Sequence, residues 1–183
     1  MRTAIAAIVL LAVAALAPPA GAAREARLVD QTGRSFSLTD LRGTPLVVTF
    51  VSAHCKDVCP LIDAQIGQAV ADARARNLRV RFATITLDPE RDSLADMQKL
   101  ARTFRADPRY WLIAGGAVPD VYAIMQAFRV TANRGGDGYA DVHTTFVYLV
   151  DKHGVVRTSM LASNDLAAQI ISTVKQQWKV LAT

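Results

Sequence analysis

Cysteine is scarce in this sequence: among 183 residues there are two, Cys55 and Cys59. Exported scaffolds stapled by disulfides carry many cysteines in a short chain, so that class is excluded. Any thiol chemistry or soft-metal binding is confined to one stretch. Dense charge is missing too. The basic residues, Arg24, Arg27, Arg74, Arg76, Arg79, Arg81 and onward, form no run and have no base-stacking aromatics interleaved with them, which argues against a nucleic-acid partner. Their pattern is that of a solvated surface with some steering toward acidic partners. The longest apolar run, residues 4–17, is 14 residues long, short of the roughly 20 that span a bilayer as a helix. No proline follows Pro119.

The apolar run follows Met1 and Arg2 and ends in Pro18, Pro19 and the small residues Ala20-Gly21-Ala22. That order predicts an export signal over residues 1–22 with cleavage after Ala22, the alternative being an uncleaved anchor. Loss of Arg2 with the signal lowers the formal charge from +5 to +4. The rest, residues 24–183, has the length of one domain. Export places it in the periplasm or on the outer face of the cytoplasmic membrane. A cysteine pair in an oxidising compartment forms a disulfide, is held reduced by a partner, or is protected by a metal.

What is present is organised around residues 46–60, LVVTFVSAHCKDVCP. Six β-forming apolar residues, buried on both faces of a sheet by their pattern, run into a polar turn, the two cysteines, and Pro60 at the start of a helical pattern over residues 61–76. A turn at Gln31-Thr32-Gly33-Arg34 predicts a hairpin before that strand. Residues 78–87 read as the next strand, completing a right-handed βαβ unit. Asp88-Pro89-Glu90-Arg91-Asp92 ends it, and Asp92 or Ser93 can cap a helix to about Phe104. A strand over 110–114 broken by Gly115 and Gly116, a helix over 118–128, a loop over 131–141, a strand over 143–150, its hairpin partner over 155–160 and a helix from 164 to about 181 follow. This order is that of an α/β, thioredoxin-like fold with peroxiredoxin-type additions and a central mixed sheet flanked by helices. The fold's usual proline before the third core strand is replaced by Val142-His143, which places a histidine across from the cysteines.

Two thiolates and an imidazole form a soft-to-borderline ligand set that suits Cu(I), and also Cu(II) or zinc with water completing the site. A helix N-terminus beside them favours the thiolate form. A structural disulfide and a metal-free redox dithiol remain open. The disulfide would close so small a loop that it removes little unfolded-state entropy, about 2 kcal/mol or less.

Three stretches carry a family resemblance: His54-Cys55-Lys56-Asp57-Val58-Cys59-Pro60, Leu87-Asp88-Pro89-Glu90-Arg91-Asp92, and His143-Thr144-Thr145-Phe146-Val147-Tyr148-Leu149. In order and separation they resemble the signatures of the Sco/SenC family of copper-binding, thioredoxin-like proteins that assist assembly of the binuclear copper site of cytochrome c oxidase. The resemblance runs from about Leu28 to the end of the chain. It implies one copper held by Cys55, Cys59 and His143, with the copper-bearing oxidase subunit or another copper chaperone as partner and a place at the membrane surface. It also implies an alternative role as a thiol-disulfide reductase, with Cys55 and Cys59 catalytic. Two positions depart from the family pattern: Lys56 stands for a proline and Val142 for an aspartate. A missing carboxylate behind a ligand typically costs 10- to 100-fold in metal affinity.

Other candidates have plainer readings. His54 could be an alternative ligand, although lining the site is the simpler role. His153 belongs to a solvated turn. The carboxylates of residues 88–92 could suggest a hard-metal site, yet they also fit a strand exit with an Arg91 ion pair and a helix cap. Met97, Met125 and Met160 fall in apolar periodic segments and read as core. The glycines of Gly135-Gly136-Asp137-Gly138 make no phosphate cradle, since no helix follows.

Overall fold

The structure is a computed structural model that describes residues 25–55, 58–134, 140–141 and 146–179. Strands β1 (Leu28–Asp30) and β2 (Ser35–Phe36) form the opening hairpin. Its turn is held by the Asp30 carboxylate, which accepts from the backbone N–H of Thr32 at 2.8 Å and of Arg34 at 3.1 Å. A 3-10 turn at Leu38–Leu41 leads to β3 (Leu46–Val51), then α1 (Val58–Ala75), β4 (Arg81–Thr86), α2 (Leu94–Thr103), β5 (Trp111–Gly116) and α3 (Val118–Ala127). The chain continues through β6 (Asn133–Arg134), β7 (Ala140–Asp141), β8 (Phe146–Val150), β9 (Val156–Leu161) and α4 (Leu166–Gln176).

Seven strands make one mixed sheet in the order β2-β1-β5-β4-β3-β8-β9. Strand β3 lies near its centre, parallel to β4 and antiparallel to β8. Successive side chains of β3 alternate between two cores. Val47 and Val51 pack under α1, α2 and α4, against Ile62, Ile66, Met97 and Leu166. Val48 and Phe50 pack under α3, against Val121 and Ile124. Phe50 meets Phe128 edge-on at 5.5 Å, and Phe128 meets Tyr148 at 5.1 Å. Four helices around a mixed sheet give the α/β, thioredoxin-like class that the sequence order predicts.

Four local expectations are corrected. Helix α1 starts at Val58 rather than Pro60, so Cys59 lies within its first turn. The first-turn N–H groups have no intrahelical acceptor, so a proline anywhere in that turn costs little and does not mark the start. Gly115 and Gly116 do not break β5. They pair with Val29 and Leu28 of β1, and a Cβ on Gly116 would lie 2.8 Å from the Arg27 carbonyl oxygen. Within the expected loop 131–141, β6 and β7 pair in the register Asn133↔Asp141 and Arg134↔Ala140. Backbone pairing needs no apolar periodicity, so the sequence pattern could not reveal it. Asp92 is not a helix cap: Ser93 is, with its hydroxyl accepting from the Asp96 N–H at 3.2 Å. The export signal, the Gly135-Gly136-Asp137-Gly138 stretch, Lys56, Val142 and His143 lie outside the described residues.

Candidate metal centre

The cysteines sit where the C-terminal ends of β3 and β4 open into their loops, the edge at which parallel sheets bind ligands. After Val51 the chain turns, and the Cys55 N–H donates to the Ser52 carbonyl at 3.2 Å. The loop after β4 pins this turn through Asp92. One oxygen of that carboxylate accepts from the Ala53 N–H at 3.1 Å and from the Thr86 hydroxyl at 2.5 Å. The other lies 2.8 Å from His54 Nδ1. The Asp92 side chain is fully buried. Burial holds its pKa above the usual carboxylate value, and the hydrogen bonds from Thr86, Ala53 and His54 offset part of that rise. With Asp92 ionised, Nδ1 carries the ring proton and donates it, which fixes the orientation and tautomer of His54.

Beyond the turn, Cys59 is buried in the first turn of α1 and Cys55 is half-buried. Both are thiols rather than a disulfide. A hydrogen bond to Cys55 and then burial push the Cys59 thiol well up, against a smaller lowering by the Ser52 backbone. In the metal-free pair Cys59 therefore keeps its proton, despite the helix N-terminus around it, and a thiophilic cation has to displace it. The two thiols share a cavity of about 220 Å³ with His54, Asp63, Asp96 and Lys99.

Sequence reasoning missed Asp63. Its carboxyl is completely buried one helical turn after Cys59. Neither oxygen has a hydrogen-bond partner among the described residues. Burial, opposed by Thr84 and aided by a smaller push from Cys55, raises its pKa to about 8. Only its position signals this from sequence: Asp63 interrupts the apolar face of α1 between Ile62 and Ile66.

Among the described residues no three His, Cys, Asp or Glu side chains converge to hold a metal ion. The structure thus joins two sulfur donors, Cys55 and Cys59, in one cavity. These donors fit a soft cation such as Cu(I) and do not complete its shell as a tetrahedral site would require. His54 joins the cavity through its Asp92 bond. The carboxylates of residues 88–92 do not cluster around a cation position. Asp88 is ion-paired to Arg134 at 3.4 Å and Arg91 at 3.8 Å, and Arg134 also pairs with Glu90. His153 is exposed in its turn, and Met97 and Met125 are buried in the two cores.

The SCO2-like protein of Rickettsia prowazekii is 28% identical over 132 residues, 69% of this chain and 63% of that protein. The chain thus spans less than two thirds of the length of such relatives. The structure of a SCO1/SenC family lipoprotein from Bacillus anthracis superposes with a TM-score of 0.74 at 25% identity, covering 86% of this chain and 92% of that one. Copper-bound ScoI of Bradyrhizobium japonicum superposes with a TM-score of 0.67 at 27% identity, covering 80% and 95%. The profile of the SCO1/SenC family matches residues 17–179, nearly the whole chain, and the protein belongs to that family.

Proposed function

We propose that this protein is an exported copper metallochaperone that binds one copper as cargo through Cys55, Cys59 and His143 and passes it toward the binuclear copper site of cytochrome c oxidase. The observation that carries the reading is the pair of adjacent thiols in one cavity at the start of α1. A copper-bound relative of the same fold supports it. In this reading Cys55 and Cys59 lose their protons as the metal binds, and His143 supplies the nitrogen donor. The chain works in the periplasm or on the outer face of the cytoplasmic membrane. Reduced protein titrated with Cu(I) should take up one equivalent. Undiminished uptake by a protein carrying both Cys55→Ser and His143→Ala would refute the site.

The asymmetry of the two thiols favours a second reading, a dedicated thiol-disulfide reductase. The more accessible Cys55, as thiolate, attacks a partner's disulfide and releases one partner thiolate. Cys59 then attacks the mixed disulfide, loses its proton, and leaves a Cys55–Cys59 disulfide and a partner reduced by two electrons. A Cys59→Ser variant should then accumulate a mixed disulfide with the partner through Cys55, and failure to trap any would exclude this role.

A further inference from the structure

A second, larger cavity lies away from the cysteines. It measures about 620 Å³ and lies at the opposite pole, at the N-terminal ends of β3 and β4, where Thr44 precedes β3 and Arg81 opens β4. A six-residue strand separates the two sites by roughly 20 Å. Four arginines line this cavity: Arg74 and Arg79 around the end of α1, Arg81, and Arg109 before β5. Arg109 is committed to Asp107, with its nitrogens 2.7 to 3.1 Å from that carboxylate. Arg74 lies over the Tyr110 ring, its Cζ 4.3 Å from the ring centroid. Arg74 also feels the Asp107 carboxylate, but none of Arg74, Arg79 and Arg81 forms a salt bridge among the described residues.

Arg81 is the anomaly. Its Nε is buried and has no hydrogen-bond acceptor among the described residues, although its backbone is fixed by a 2.9 Å bond to the Pro45 carbonyl. Desolvation lowers its pKa, but a guanidinium stays charged throughout the accessible range. A partly buried guanidinium with an unused donor is favoured by an anion that offsets its lost hydration. Arginine's fork of donors matches phosphate oxygens.

We propose that the Arg74, Arg79 and Arg81 cavity is a binding site for a phosphate-type oxyanion, independent of the cysteine site. The oxyanion accepts from the Arg81 guanidinium, with Arg74 and Arg79 closing over it, and the apolar walls at Val80 and Phe82 leave room for an attached body. A soluble phosphate and a phospholipid headgroup offer the same chemistry.

The purified full-length chain, in low-salt buffer without phosphate, is titrated with inorganic phosphate and, separately, with phosphatidylglycerol and phosphatidylcholine vesicles. Calorimetry reads affinity, and amide chemical shifts read location. Saturable phosphate binding with shifts centred on residues 74–82 and 108–111 is expected. Removing a charge-assisted donor should weaken it by about tenfold or more in Arg81→Met. The rim variant carrying Arg74→Gln and Arg79→Gln should weaken it similarly and tests the site even if Arg81→Met does not fold. Binding of phosphatidylglycerol vesicles alone, lost in the same variants, identifies a headgroup as the source. Saturation by neither probe, equal affinity in the variants, or shifts centred elsewhere overturns the proposal. Copper uptake should be unchanged in both variants, so this test is separate from that of the cysteine site.

Discussion

Replacing Asp63 with asparagine should change the pH dependence of stability more than any other single substitution near the cysteines. Asp63 is fully buried with no hydrogen-bond partner among the described residues, and its folded pKa is about 8 against an ordinary value of 3.8. The folded state therefore holds a proton that the unfolded state releases above about pH 4. The folded-state pKa is raised on an acid, so its neutral form favours the fold. Stability from this group is greatest below pH 4, falls as pH rises toward 8, and levels off beyond it. One proton contributes at most about 1.4 kcal/mol per pH unit, so the interval from pH 4.5 to 7.5 spans on the order of 4 kcal/mol. Asparagine cannot ionise and removes that slope. Reduced, metal-free wild type and Asp63→Asn are compared by urea denaturation at half-unit steps of pH. Their difference isolates Asp63, because the raised pKa of Asp92 contributes equally to both proteins. Parallel stability curves across pH 4.5 to 7.5 would refute the buried, protonated Asp63.

Asp92→Ala should cost about 2 to 4 kcal/mol, since the Ala53 N–H and Thr86 hydroxyl lose a buried acceptor and His54 loses its anchor. The loss appears as a lower urea midpoint, and histidine ring NMR should show Nδ1 no longer bonded. Gly116→Ala should destabilise by about 1 to 3 kcal/mol, because the new Cβ would stand 2.8 Å from the Arg27 carbonyl and β1 would have to shift. An unchanged melting temperature would mean that β1 yields freely. Ser93→Ala should cost about 1 kcal/mol by opening the capping box of α2, with Ser93→Asp restoring most of it in the same denaturation assay.

Local chemistry made much of this protein legible. The apolar run of β3 could be read because a strand covered on both faces needs side chains that tolerate no water on either. The hairpin at Gly33 could be read because a φ of 86° favours glycine. Both cysteines could be assigned to the end of a central strand because their distance along the chain leaves no other place. Three features depended on residues distant in sequence. Asp92 reads as a helix cap until β4 is laid parallel to β3, which brings it beneath His54, 38 residues away. Asp63 reads as an ordinary helix carboxylate until α1 is rotated onto the sheet and buries it. Arg81 is one scattered basic residue among many until α1 and β5 close a cavity over its guanidinium. Sequence by itself determined which atoms could bind a soft metal, since sulfur is a property of the residue. Tertiary structure alone decided which polar groups lost their water, because desolvation depends on what packs around a side chain.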